Sequence, residues 1–513
     1  MRRAPLVWAA LASCQGACPQ VPDVDVRAMV DGVAADAPST DAAVARQASL
    51  VPARCHATDR GVLLEGERAP GGERDLDFGD GLAHADEVAV GLVHHTAAGR
   101  VAAVAVLRAD ASSARVIDLG PTLGDAPAPQ LAVCRDELVA AAFRVPARAT
   151  AGGGGLEAGL AVPRPHGGDT GANRDLALYL VDSAEPGRVA SSIPQRRDDS
   201  LAFDLACSAS EGLVVWDETR DAKRDEATAP PSRSALRGVI RAAPFAVDPI
   251  VAGQKGVHTD SVRDVSPPES DAEMPRIVPS GHGFFILWIA RRVEGADPSE
   301  GTSARFAEDA SGAIEATGEA RTYGWLEMIS VDKAGTVTGP LRRLTSTSGH
   351  ISAYDAQARS DRGKPSVLVV ARDDQEVVDG AGGTLWRIRA QDDAVEPAVE
   401  LPTDGLGRGA PTFVDSPATW VAWVGPREQP RLLPLGASGE VLAGASAEEG
   451  LAEARPLLSL PSLSPSPGSG ASSSDAAPAA VGSAVSVPDR RMLVATPGDT
   501  GAQLRVFGCA YPN

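Results

Sequence analysis

The densest group of possible ligands in this chain is Asp75-Leu76-Asp77-Phe78-Gly79-Asp80-Gly81, with Asp86 beyond it. A hand-type calcium loop wants oxygen ligands at its first, third and fifth positions and glycine at the sixth. Here Gly79 stands fifth and Asp80 sixth, so the register is broken and the stretch reads as an acidic turn. His94-His95, with His84 a strand earlier, has no His-x3-His helix or Cys/His quartet beside it, and these read as exposed hairpin histidines. Gly-x-Ser-x-Gly, a phosphate-binding Gly-rich loop and a metalloprotease helix are all missing from the sequence. With 68 acidic residues, carboxylate pairs arise by chance, and none can be singled out. No residue is thereby marked as catalytic, cofactor-binding or metal-binding, and no cofactor is implied.

Any site must therefore be assembled by the fold, and the fold is written in repeats. Seven short apolar runs share one shape: Val88–Gly91, Leu138–Ala141, Leu213–Trp216, Phe285–Trp288, Val367–Val370, Trp420–Trp423 and Met492–Ala495, with last residues 50, 75, 72, 82, 53 and 72 positions apart. A hairpin follows nearly every run, as in Leu176–Val181 leading through Asp182–Gly187 to Arg188–Ile193. Trp325–Leu341 repeats it with Asp332–Gly335 as the turn, Leu432–Leu442 with Gly436–Gly439, and Ala235–Val251 with Asp248-Pro249. Glycine supplies positive φ and proline presets a bend, so these turns have a mechanism. An open β-sandwich has no reason to repeat one pattern seven times, whereas stacked blades do. The expectation is an all-β, seven-bladed β-propeller with four-stranded antiparallel blades, strands A to D. The seventh unit ends after Gln503–Phe507, and the orphan strand in Ala53–Glu65 is expected to fill it, closing the ring through an N-terminal strand in the last blade.

Insertions are uneven. The B–C loops 144–174, 217–234, 290–321 and 371–383 are expanded in consecutive blades, two to five, and the D–A connection Ala252–Met274 is long too. Both kinds of connection open on one face of a propeller, where binding residues collect. Residues 459–488, in the seventh A–B loop, have the Ser/Pro/Ala/Gly composition of a disordered insertion.

At the N-terminus Arg2-Arg3 precedes a short apolar stretch, Ala4–Ala12, and then Leu11-Ala12-Ser13-Cys14. That order resembles the lipobox of an exported lipoprotein, the stretch being far short of a membrane span. The resemblance implies cleavage before Cys14 and lipidation of Cys14, with a plain signal peptide as the alternative. Gln15, rather than Asp, follows the cysteine, which by the bacterial sorting rule implies the outer membrane, its periplasmic or surface face left open. The division expected is a signal peptide at 1–13, an acidic tether at 14–50 and the propeller at 51–513. Export means an oxidising compartment in which disulfides persist. Ring closure would bring Cys55 near Cys509, and Cys134 and Cys207 lie in A-strand regions of neighbouring blades, either bridged or as two buried thiols; Cys18 is left over.

Over residues 50–513 the chain resembles the bacterial β-propeller lipoproteins in architecture. It lacks the aspartate boxes of sialidases, Trp-Asp repeat endings and the paired glycines of kelch repeats, so no active site is carried over. A net charge of −20 argues against a nucleic-acid partner. These features together imply a cell-envelope lipoprotein, membrane-held through its N-terminal lipid, that binds or scaffolds a protein, glycan or peptidoglycan partner. The alternative is an envelope hydrolase of glycans or esters, its catalytic groups converging at the central channel from separate blades. The missing motifs favour a binder over an enzyme.

Overall fold

The computed structural model describes residues 54–510 with interruptions, the longest at 66–76, 146–174, 220–237, 295–305, 442–454 and 461–489. The chain divides into units 1–48 and 49–513. The first lies wholly outside the described residues, and with it the signal segment, Cys14, Cys18 and nearly all of the tether.

β1 spans Arg54–Glu65. β2 (Asp77–His84), β3 (Glu87–Thr96), β4 (Gly99–Arg108) and β5 (Ala114–Pro121) form an antiparallel sheet in that order, and β6 (Gln130–Cys134), β7 (Glu137–Arg144), β8 (Asp175–Leu180) and β9 (Val189–Pro194) form the next. In the third, β10 (Phe203–Ser208), β11 (Glu211–Thr219) and β12 (Gly238–Val247) are completed by β13 (Val257–Thr259) and β14 (Arg263–Asp264), both paired with β12. β15 (Asp271–Ser280) and β16 (Gly283–Glu294) lead into a small ribbon, β17 (Phe306–Glu308) with β18 (Ile314–Ala316), before β19 (Arg321–Asp332) and β20 (Arg342–Arg343) finish that sheet. β21 (Ile351–Asp361), β22 (Lys364–Asp373), β23 (Thr384–Ala390) and β24 (Val399–Glu400) follow, then β25 (Thr412–Val414), β26 (Thr419–Val424) and β27 (Pro430–Leu435). The last sheet contains β28 (Arg455–Leu460), β29 (Arg490–Pro497) and β30 (Gly501–Ala510) in the order β1-β30-β29-β28.

This is an all-β propeller, but seven equal four-stranded blades closed into a ring by the N-terminal strand is corrected. Among the described residues six sheets carry four strands or more and form the blades, and the β25–β27 sheet has three. The Gly436 N–H to Glu440 carbonyl bond, at 2.8 Å, and the isolated Leu435–Val441 bridge place the even-numbered residues of β27 with their main-chain groups facing the outer edge. Pro430 and Pro434 have no N–H to offer there, which leaves Leu432 between them as a donor and weakens that edge. At the chain ends the structure describes a local pairing: β1 runs antiparallel to β30, with Val62 opposite Leu504 and Cys55 opposite Cys509.

Smaller expectations shift as well. The hairpin expected over Ala235–Val251, with its bend at Asp248-Pro249, extends further: β13 and β14, inside the stretch assigned to the D–A connection, pair with β12, and the bend itself lies outside the described residues. The 290–321 insertion is partly strand, since β16 and β19 stay paired out to Glu294 and Arg321 and carry the β17–β18 ribbon between them. Ser459 and Leu460 belong to β28, while 461–489 lies outside the described residues. The acidic stretch at Asp75–Gly81 contributes Asp77–Gly81 to β2.

Second strands such as β11 and β22 read as near-continuous apolar runs because both faces of each sheet are covered by neighbouring sheets. Trp216 packs with residues of the β7–β8 sheet, Trp288 with Leu213 and Val215 of β11, and Trp423 with Leu368 of β22, and all three tryptophans are buried. Trp288 also donates its indole N–H to Glu327 at 3.1 Å. Where other second strands carry tryptophan, β3 carries Gly91, because a Cβ there would run into the carbonyl of Pro129. Replacing any of the three tryptophans by alanine removes buried area and opens a cavity between sheets, costing about 3–5 kcal/mol. Thermal melts of Trp216→Ala, Trp288→Ala and Trp423→Ala are expected to show lowered midpoints for each; unchanged midpoints would place these side chains outside the inter-sheet core.

Candidate functional site

The first strands of successive sheets lie side by side: β6 against β2 and β10, β15 against β10 and β21, and β25 against β21. Side chains on these strands gather Asp80 (β2), Asp204 (β10), Arg276 (β15), Tyr354 and Asp355 (β21) and Thr412 (β25) at the interior of the propeller. The Thr412 hydroxyl reaches the carboxylate of Asp355 at 3.2 Å and that of Asp80 at 3.4 Å, linking positions 332 residues apart.

Two of these carboxylates do the same structural job. Asp204 accepts the N–H of Leu205 on Oδ1 at 2.9 Å and the N–H of Ile277, in the next sheet, on Oδ2 at 3.0 Å. Asp355 accepts the N–H of Ala356 on Oδ1 at 2.8 Å and that of Phe413, again in the next sheet, on Oδ2 at 2.7 Å. Between them stands Arg276, its Nε 3.7 Å from Asp355 Oδ1.

Arg276 reaches the interior through a β-bulge: Glu273 opposes Ile289 and Arg276 opposes Leu287, so Met274 and Pro275 together face Trp288. Met274 has φ 54°, a left-handed conformation that costs a non-glycine residue on the order of 1–3 kcal/mol. It is clamped on both sides. Asp217, at the end of β11, takes its N–H at 3.0 Å, and the Tyr354 hydroxyl donates to its carbonyl at 2.8 Å. Asp217 also accepts the N–H of Ala202 at 3.0 Å, so this one carboxylate ties its own sheet to the bulge of the next.

Burial raises Asp204 to about 6, against the opposing pull of Arg276 and its main-chain donors, with Asp355 adding a like charge. Asp355 is raised for the same first reason, with Arg276 opposing and Asp80 reinforcing. Burial likewise pushes Tyr354 well up, keeping it a neutral donor. For Arg276 burial works against the charge, yet Asp355, Asp204 and Asp80 outweigh it and hold the guanidinium firmly protonated. Chemically the cluster is a buried, carboxylate-rich network around one cation, with a carboxyl that titrates near neutrality.

The residues marked in the sequence fall elsewhere. Cys134 and Cys207 are joined as a disulfide with Cα atoms 5.3 Å apart, tying the end of β6 to β10, and Arg135 donates its N–H to the Ala209 carbonyl beside it at 2.9 Å. Cys55 and Cys509 are opposite in register, their side chains lying outside the described residues. His94 meets Asp118 at 3.2 Å at the end of a hairpin. Among the described residues no group of three metal-ligating side chains is present. The interior cluster went unread, though a signal existed: Asp80, Asp204, Arg276, Asp355 and Thr412 precede the ends of their apolar runs by 11, 12, 12, 15 and 11 residues. In a sequence with so many carboxylates that offset carries little weight until the strands are paired.

The sign of the Asp204 shift sets a pH dependence. Its folded pKa of about 6 exceeds the unfolded value of about 4, so the native state holds a proton that the unfolded chain has released in between. The stabilisation from this group is full below that lower value and declines as pH rises through the folded one. The melting temperature of the wild type minus that of Asp204→Asn is expected to fall between about pH 4 and 6 and then level off. A difference that rises with pH, or stays flat, would show that the carboxyl is not raised.

No family model and no curated protein matches the sequence. Several solved structures resemble this one. The polysaccharide lyase Uly1 superposes with a TM-score of 0.44 at 8% identity, over 88% of this chain and 98% of that one. The β-propeller domain of the Trilobed protease from Pyrococcus furiosus gives 0.40 at 9% identity, over 85% and 93%. An α-L-arabinanase from Penicillium chrysogenum gives 0.41 at 11%, over 75% and 99%. The β-propeller architecture of this chain stands on its own sheets and on the side-by-side packing of their first strands.

Proposed function

We propose that the protein is an exported binding propeller of the cell envelope, tethered to the outer membrane through a lipid on Cys14 and presenting the face that carries its long connections to a protein or glycan partner. The observation that carries the binding reading is the engagement of the interior carboxylates. Each oxygen of Asp204 and of Asp355 already accepts a main-chain N–H, half of these from the neighbouring sheet, so the pair acts as a brace for the fold rather than as an acid and base aimed at a substrate. The long connections leave second strands in four sheets, β7 to β8, β11 to β12, β16 to β19 and β22 to β23, and so share one face. The Cys134–Cys207 disulfide supports an oxidising compartment.

One observation favours the hydrolase as a second reading: a carboxyl raised to about 6 beside other carboxylates is suited to general-acid work. The two readings separate by assay. Chromogenic glycosides and esters offered between pH 5 and 7 are expected to give no turnover that depends on Asp204, and turnover abolished by Asp204→Asn would replace the binder with an enzyme. For the anchor, Cys14→Ala is expected to move the protein from the membrane to the soluble fraction. Retention of that variant in the membrane, with no acyl chains on the wild type by mass spectrometry, would remove the lipoprotein assignment.

A further inference from the structure

On the face carrying the long connections, three planar side chains are stacked across two sheets. Arg292, near the end of β16, is exposed, and its guanidinium carbon lies 5.3 Å from the centroid of the Tyr323 ring. Tyr323 sits directly opposite it on β19, and its ring centroid is 5.2 Å from that of His350, with the planes tilted by 30°. His350 immediately precedes β21 and is fixed by its main chain: its N–H goes to Asp373 at 3.1 Å, while Gly324, next to Tyr323, bridges to it and donates to the Gly349 carbonyl at 2.9 Å. Tyr323 and His350 are half-buried, so part of each ring remains at the surface beside the guanidinium.

The two adjacent arginines differ. Arg291 is paired with Glu273. Arg292 has no carboxylate within ion-pair distance among the described residues, and its contact there is with the tyrosine face. Stacking uses the flat face of a guanidinium and leaves its N–H donors pointing outward in the plane, where they match the two oxygens of a carboxylate. A cation held flat in advance loses less freedom on binding than a free surface arginine does.

We propose that Arg292, seated on Tyr323 and bordered by His350, is a recognition point for the carboxylate of an acidic sugar, a uronate unit of an envelope glycan. This rests on the binding reading above and specifies its ligand class.

The full chain is titrated by calorimetry at low salt with trigalacturonate, its methyl ester, inorganic phosphate and a neutral trisaccharide. Binding of the uronate but not of the ester is expected, weakening with added salt. Arg292→Ala is expected to lose affinity by about tenfold or more, and Arg292→Lys, which keeps the charge without the planar fork, to recover part of the loss. Arg343→Ala, at an exposed position on β20, serves as the control and is expected to bind as the wild type does, with melting curves establishing that each variant is folded. Equal binding of the ester, an unaffected Arg292→Ala, or phosphate binding at Arg292 without uronate binding would overturn the proposal. Binding of the neutral sugar alone would overturn it while leaving the binding reading intact, whereas failure of every glycan and of envelope-protein pull-downs would remove both.

Discussion

The fold depends on carboxylates that reach across a sheet boundary to a neighbour's main chain. Asp204 holds the N–H of Ile277, Asp217 that of Met274, Asp355 that of Phe413, and Asp271 accepts the N–H of Gly238 at 2.7 Å in the preceding sheet. Hydrophobic contact between sheets is strong but indifferent to small slides, since valine on valine is much the same one residue along. A charge-assisted bond to one particular N–H is not indifferent. It sets the register between sheets that the apolar runs only press together, and at Asp204 and Asp355 it does so where one first strand approaches the next.

That arrangement concentrates like charges, and the structure carries the result in its electrostatics. Asp80, Asp204 and Asp355 surround a single guanidinium; burial first, and then a like charge beside each, raises the carboxyls of Asp204 and Asp355, while Arg276 opposes both shifts. Met274 shows what is accepted to deliver that cation. A left-handed residue and a bulge are tolerated because donors and acceptors from two other sheets fix both of its peptide groups. These interior side chains are thus engaged in holding sheets together.

The apolar second strands were plain in the sequence because burial on both faces forces an unbroken hydrophobic run, and the turn at Asp332–Gly335 was plain because Gly335, at φ 74°, takes a conformation that glycine accepts freely. The outer strands were not. β20 and β24 are two residues long, and which N–H groups the β27 edge offers depends on the phase of Pro430 and Pro434 relative to the hydrogen-bonding pattern, a quantity fixed only by pairing. The candidate site was harder still. Asp204 and Asp355 look like any other acidic residue until Ile277 and Phe413 are set beside them, and Arg292 and His350 lie 58 positions apart with nothing in the intervening sequence to join them.

The Cys134–Cys207 bond also alters how the molecule would carry tension. It closes a loop of 73 residues that contains most of the β6–β9 sheet and all but the last residue of β10. A pull applied at the two ends of the chain passes through the sulfur atoms and bypasses that loop, so roughly 250 Å of extended chain, at about 3.4 Å per residue, cannot be drawn out while the bond is intact. Under such a load the strands within the loop would keep their length while the other sheets gave way.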